Sequence, residues 1–257
     1  MQGPATVYSA PPDTWKPLMD LRGIYVVGLL VLATPLLAAE EEDEESPWSG
    51  SVKLGYLATS GNTDNSSLNS GFRIAYALEL WQHEAKAAAI RSTESDETTA
   101  EAYDLGWKSA RNISDRDFLF GRLDWRKDYF SSIEEQFSQT VGYGRRVLEK
   151  EAHKFDAELG IGVRQSDLAD DTDQSDTIVT GRLTYTWQIS ETASFGQALL
   201  IESGGSNTFS ESVTELSARL IGRFALVASY TVRHNSDVLQ DTEKKDTFTA
   251  LSLEYGF

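Results

Sequence analysis

Two stretches decide the fold: Phe224-Ala225-Leu226-Val227-Ala228-Ser229-Tyr230-Thr231-Val232-Arg233, and the end of the chain, Asp246-Thr247-Phe248-Thr249-Ala250-Leu251-Ser252-Leu253-Glu254-Tyr255-Gly256-Phe257. In the first, Phe224, Leu226, Ala228, Tyr230 and Val232 alternate with Ala225, Val227, Ser229, Thr231 and Arg233. In the second, Leu251, Leu253, Tyr255 and Phe257 alternate with Ala250, Ser252, Glu254 and Gly256. Successive side chains of a strand point to opposite faces, so a period of two makes one apolar and one polar surface. The same pattern sets Phe155, Ala157, Leu159, Ile161 and Val163 against Asp156, Glu158, Gly160, Gly162 and Arg164, and Phe72, Ile74, Tyr76 and Leu78 against Gly71, Arg73, Ala75 and Ala77.

Extending the reading from Trp48 onward predicts strands over 48–57, 66–80, 84–92, 99–113, 118–130, 135–149, 154–166, 176–189, 193–203, 209–221, 224–235 and 245–257. The predicted connections alternate between short (81–83, 114–117, 150–153, 190–192, 222–223) and longer, polar ones (58–65, 93–98, 131–134, 167–175, 204–208, 236–244). That is the pattern of an all-β, antiparallel barrel of about 12 strands with both ends of the barrel segment on the short-turn side. A soluble sandwich or lipocalin-like binding barrel would turn the apolar face inward. An outer-membrane barrel turns it to lipid, with short periplasmic turns and longer extracellular loops. Strands of this length exceed the soluble norm of roughly 5–6 residues. Aromatics also gather at strand ends on the apolar face: Trp187, Phe155, Phe195, Phe224 and Phe257 at the short-turn end, Tyr56, Tyr103, Tyr129 and Phe137 at the other. Two such girdles mark the interfaces of a membrane barrel, and the transmembrane reading is preferred.

Upstream of the barrel segment 48–257, the apolar run Ile24–Leu37 is too short for a spanning helix, which needs about 20 residues. It follows Arg22 and ends at Leu37-Ala38-Ala39, so 19–39 reads as a signal peptide starting at Met19, and 1–18 as a mis-called extension. Glu40 to Glu45 are consecutive acids, which makes 40–47 a solvated segment expected to be disordered. Forty acids against 23 bases give a net charge of −17, which argues against nucleic acid as a partner. The absence of cysteine excludes thiol catalysis, disulfides and a lipid-anchored N-terminus, and three histidines make a histidine-rich metal site unexpected. No cofactor, metal or catalytic residue is assigned.

The polar face is the candidate site. Its expected lumen lining is Lys53, Arg73, Lys108, Arg122, Asp124, Arg126, Asp128, Arg164, Arg182, Glu215, Arg219, Arg233 and Glu254, with Lys86, Arg146, Glu79, Asp104, Asp156, Glu158 and Glu202 beside them. Such a lining is either a salt-bridge lattice that satisfies a polar interior or a pore whose charges select solutes. The enzyme alternative, an outer-membrane lipid hydrolase, rests on His234 and Ser236, two apart on one strand end beside Asn235 and Asp237. Asp167 to Asp176 concentrates carboxylates in one loop, but lacks the central glycine and closing glutamate of a calcium loop. It reads as solvated, with weak divalent bridging to lipopolysaccharide phosphates as the alternative.

The stretches WSGSVKLGYLATSGNT (Trp48–Thr63), LFGRLDWRKDYFSSIEEQFSQTVGYGRRVL (Leu119–Leu148), LGIGVR (Leu159–Arg164) and DTFTALSLEYGF (Asp246–Phe257) resemble the YdiY-like family, domain of unknown function 481, salt-induced outer-membrane proteins. The resemblance implies an exported Gram-negative outer-membrane barrel with no settled activity, linked to salt or osmotic stress, and it transfers no functional residue. Leu253, Tyr255 and Phe257 at alternate final positions are similar to the signal read by the outer-membrane assembly machinery. The expected partners are therefore that machinery, membrane lipid and lipopolysaccharide, and the expected role is structural or that of a passive channel for small solutes and ions.

Overall fold

The computed structural model describes residues 46–59, 65–95, 97–240 and 242–257. The expected extension and signal peptide, and all but the last two residues of the acidic segment, lie outside the described residues.

Twelve strands follow one another: β1 (Trp48–Thr59), β2 (Asn65–Ala77), β3 (Trp81–Glu94), β4 (Glu97–Asn112), β5 (Asp117–Asp128), β6 (Ile133–Glu149), β7 (His153–Leu168), β8 (Asp173–Gln188), β9 (Ala193–Ser203), β10 (Thr208–Ile221), β11 (Phe224–Asn235) and β12 (Lys245–Gly256). Each pairs antiparallel with its sequence neighbours, and β1 closes on β12, so the sheet is a closed barrel. Closure gives every strand two partners and removes the open edge that lipid could not satisfy. The closing ladder is short, running from Ser51–Gly256 to Leu54–Leu253, whereas β1 and β2 pair from Trp48–Tyr76 to Thr59–Asn65.

The facing follows the alternation. Leu159, Ile161 and Val163 on β7, Val179 and Leu183 on β8, and Leu251 and Leu253 on β12 stand on the outer surface, with Leu159 69% exposed. A continuous exposed apolar surface of this kind is a lipid-facing belt, and its outward direction overturns the lipocalin-like alternative, which needed these side chains inside. The fold is an antiparallel transmembrane β-barrel. Its aromatics cluster at both ends of the belt: Trp81, His83 and Trp107 form one stack, and His153 stacks with Tyr185 and Trp187, all near the turn end. Tyr103 meets Tyr129 edge-on near the loop end.

Several strands run further than the alternation suggested. The expected connection 93–98 shrinks to a tight turn around Ser95, whose φ is 51°, because Thr93 pairs with Thr98 and Glu94 with Glu97. The expected loop 167–175 likewise shrinks to 169–172, with Asp171 at φ 62° and Asp167 opposite Asp173. Polar residues end the apolar pattern at the membrane edge, but they do not end the backbone ladder, which continues in water. At the turn end, Gly222 takes φ 57°, the left-handed conformation that glycine adopts without penalty.

Candidate functional site

Residues directly opposite in the ladder share a face, so the register carries the lumenal side from strand to strand. Lys53 lies opposite Glu254, Lys108 opposite Arg122, Asp104 opposite Arg126 and Glu158 opposite Arg182. On the same parity Arg73, Asp124, Asp128, Arg164, Glu215, Arg219 and Arg233 also face the lumen. Arg73 sits toward the turn end, largely exposed and paired with Glu84 at 2.7 Å, and Arg219 lies exposed at the turn-end rim.

The charges meet across the lumen more than along it. Arg122 Nη2 lies 2.5 Å from Glu158 Oε2, and Lys108 Nζ bonds the other oxygen of the same carboxylate, which joins β4, β5 and β7. Arg126 reaches Glu202 on β9 at 3.5 Å, donates to Gln136 Oε1 at 2.9 Å, and lies 4.2 Å over the Phe209 ring. Arg233 on β11 grips Asp104 on β4 at 2.8 Å and Glu211 on β10 at 2.9 Å. Since β4 and β11 are five places apart around the ring of twelve, that pair crosses nearly the full width of the barrel. Lys53 on β1 bonds Glu215 on β10 at 2.6 Å and Glu254 at 3.3 Å. Near the loop end Arg164, 1% exposed, donates to Asn207 O at 2.6 Å and to Glu202 O at 3.3 Å, and pairs with Asp176 at 3.2 Å. The row Arg122, Asp124, Arg126 and Asp128 on β5 therefore does not neutralise itself. Its internal approach, Arg122 to Asp124, is 4.0 Å, and its short bonds go to other strands.

The lumen also holds apolar groups that the sequence reading left out. Phe118 and Phe120, each 4% exposed, pack with Ala110, while Ile178, Leu200, Phe209 and Val227 are buried inward elsewhere. Lys108 lies 4.9 Å over Phe118, and Arg122 lies 5.1 Å over Phe120, so these rings carry the cations they would otherwise exclude. Inward glycines make the room. A Cβ on Gly142 would stand 2.7 Å from the Phe120 ring, and one on Gly144 would collide with Phe118. These paired glycines, in VGYGRR on β6 and LGIGVR on β7, are the sequence signal for a bulky group lying over them. Glu211, deep in the lattice, was a second omission.

The β5–β9 side of the lumen is thus largely filled. The β1–β3 and β10–β12 side keeps a cavity of about 590 Å³, bordered by Lys53, Arg73, Lys86, Asp124, Arg233 and Glu254 among others. The pair considered for hydrolysis is not assembled. Ser236 Oγ donates to Asn207 Oδ1 at 3.2 Å and accepts from the Thr208 N–H at 2.8 Å, and no hydrogen bond joins it to His234 among the described residues. In the acidic loop, Asp176 turns inward to Arg164 and Ser206, and no cluster with metal-ligand geometry exists among the described residues. Leu253, Tyr255 and Phe257 are exposed on the outer face of the turn end, where the Tyr255 ring meets Phe224 at 5.1 Å.

Among solved structures, the barrel is similar to the NanC porin (TM-score 0.47, 11% identity, 80% of this chain and 97% of that one). It is also similar to the COG4313 outer membrane channel from Pseudomonas putida F1 (TM-score 0.48, 11% identity, 86% and 100%). A curated relative, the uncharacterized protein YdiY of Escherichia coli strain K12, is 32% identical over 218 residues, covering 82% of this chain and 84% of its own. The family model "Protein of unknown function, DUF481" matches residues 52–257, and on that match over most of its length the chain belongs to the DUF481 family.

Proposed function

We propose that this protein is a barrel of the Gram-negative outer membrane that acts as a low-throughput passive channel for water and small ions. The observation that carries the reading is the division of the lumen. Ion pairs and buried rings fill much of the β5–β9 side, and the Arg233–Asp104 pair braces the wall across the lumen. Beside them lies a cavity of about 590 Å³ walled by charged, hydroxyl and apolar side chains such as Lys53, Ser229, Val227 and Phe248. A lumen needed only as structural filling would be expected to close on both sides, as close-packed interiors do. The cross-lumen bridges keep the free section narrow, which favours small solutes over large ones. The lipid-hydrolase alternative is not favoured, because the Ser236 hydroxyl is spent on Asn207 and Thr208 rather than directed at His234.

On this reading the turn end faces the periplasm, the loop end faces lipopolysaccharide, and the terminal Leu253, Tyr255 and Phe257 are offered to the assembly machinery on the lipid side of the last strand. The test is conductance of the refolded barrel in planar bilayers. Small steps of reproducible size are the expected result. A silent barrel, folded by its shifted mobility on an unboiled gel, overturns the channel and leaves the structural reading. Location has its own check: the protein should sediment with outer membranes and resist alkaline extraction, and recovery in the soluble periplasmic fraction would refute it.

A further inference from the structure

Arg182 on β8 is the exception in the lattice. Its cross-strand neighbour Glu158 turns away and gives both oxygens to Lys108 and Arg122. Among the described residues no carboxylate lies within salt-bridge distance of Arg182, and its buried Nε has no acceptor. Arg164 also has an unsatisfied Nε, but its terminal nitrogens are spent on Asn207 O, Glu202 O and Asp176. Leaving the buried Nε of a guanidinium without an acceptor is expensive. Among the described residues Arg219 also lacks a carboxylate partner but is exposed at the rim, and Arg146 is held by Asn112 and Asp115 O, whereas Arg182 lies inside the lattice.

Arg182 borders a chamber of about 30 Å³ whose other charged walls are Lys86, Lys108, Arg122, Glu84 and Asp124. The Glu84 carboxylate is bonded to Arg73, and Asp124 stands 3.6 Å from Lys86 and 4.0 Å from Arg122. With Glu158, which holds Lys108 and Arg122, the four cations meet three carboxylates, and Glu84 is held by Arg73; Arg182 is left as the uncompensated positive charge. The space holds a water-sized occupant, which needs about 10–15 Å³ of such volume. A monatomic anion fits. Lys86 and Asp124 border both this chamber and the large cavity, which links it to the open side of the lumen.

We infer that Arg182, with Lys86, Lys108 and Arg122, forms a lumenal binding site for a small inorganic anion of the chloride class, and that this site makes the lumen prefer anions. The binding part stands on the chamber alone, and the selectivity part rests on the channel reading above. Bromide is the probe. In bromide-soaked crystals of the detergent-solubilised barrel, an anomalous peak is expected within hydrogen-bond reach of Arg182. It should be lost in Arg182→Gln and retained in Arg182→Lys, which keeps the charge should the glutamine variant fail to fold. In planar bilayers across a potassium chloride gradient, the anion-to-cation permeability ratio should fall about tenfold in Arg182→Gln, the equivalent of one charge-assisted hydrogen bond, and stay unchanged in the outward-facing Arg111→Gln. No peak in the native protein, or an equal peak in Arg182→Gln, overturns the site. A peak in a barrel that never conducts upholds the site and defeats the channel. Conduction without anion preference and without a peak defeats the site and upholds the channel.

Discussion

Glu158 is the most informative lattice member to change, because one carboxylate serves two cations from two other strands. Its side chain is 6% exposed, and those of Arg122 and Lys108 are 8% and 24% exposed. Glu158→Gln keeps the shape and removes the charge, which leaves two cations facing each other. Among the described residues the only other carboxylate within salt-bridge distance of either cation is Asp124, 4.0 Å from Arg122. Removing one partner of a buried ion pair costs about 3–5 kcal/mol, and the partial exposure of Lys108 to a wet lumen puts the expectation near the lower end, about 3 kcal/mol. Glu254→Gln is the matched control. Lys53 keeps Glu215 at 2.6 Å, and the Glu254 side chain is 24% exposed, so its loss should cost less than about 1 kcal/mol. Urea unfolding of the barrel in lipid vesicles, followed by tryptophan fluorescence, reads the difference. At a slope of about 2 kcal/mol per molar urea, Glu158→Gln should lower the midpoint by roughly 1.5 M and Glu254→Gln by under roughly 0.5 M. The pair Lys108→Met with Glu158→Gln should cost less than the two single changes added, by about 1 kcal/mol or more, because each change removes the same interaction. Equal midpoints for Glu158→Gln and Glu254→Gln would refute the view that the cross-lumen bridges brace this barrel.

Three further outcomes are expected. An arginine on the lipid face should impair insertion according to depth: Ile161→Arg, in the middle of β7, by about 2–4 kcal/mol, and Leu226→Arg, three residues from the turn end of β11, by about 0–1 kcal/mol, both read from vesicle folding yields, with equal penalties counting against the belt. Phe120→Ala removes a ring that Lys108 and Arg122 lie against, so it should raise single-channel conductance while lowering the unfolding free energy by about 3–5 kcal/mol, and an unchanged conductance would mean that the ring does not limit the passage. Ser51 and Gly256 are opposite each other on the short β1–β12 ladder, next to the pair Gly50–Phe257 that exchanges both backbone hydrogen bonds. They therefore form a close pair, about 4.5 Å between Cα atoms, and a Cβ on Gly256 meets nothing nearer than 3.9 Å. In this cysteine-free chain, oxidised Ser51→Cys/Gly256→Cys should hold its folded gel mobility to higher temperature than the reduced form, and identical melting of the two would show that this seam is not where the barrel opens.

The shape was legible because lipid imposes it on every strand. Leu226 and Arg233, or Ile161 and Arg164, can be assigned to opposite faces by counting, since a period of two has no other solution in a closed sheet. Counting fails where both parities are apolar. Asp117-Phe118-Leu119-Phe120-Gly121 contains Leu119 for lipid and two rings for the lumen, and nothing local to the segment shows which side the rings take. The answer lies on β6 and β7, at Gly142, Gly144 and Gly160, whose missing side chains leave the room the rings occupy. It also fails at strand ends such as Thr93 and Asp167, because polarity reports the edge of the bilayer while the hydrogen-bond ladder runs past it.

Function is harder to read for a related reason: parity gives the face, whereas partnership depends on stagger around the whole ring. Arg233 and Asp104 are 129 residues apart and meet only because closure sets β11 across from β4. Arg164 and Arg182 have the same local signature, an arginine at an inward position on adjacent strands. Yet Arg164 sits at the height of Asn207 and Asp176 and is tied by both, while Arg182 sits at the height of Glu158, already claimed twice. One arginine is thereby a fastening and the other, among the described residues, an unpaired charge. The difference comes from the height at which each strand joins its neighbour, a quantity fixed by the register of twelve ladders together.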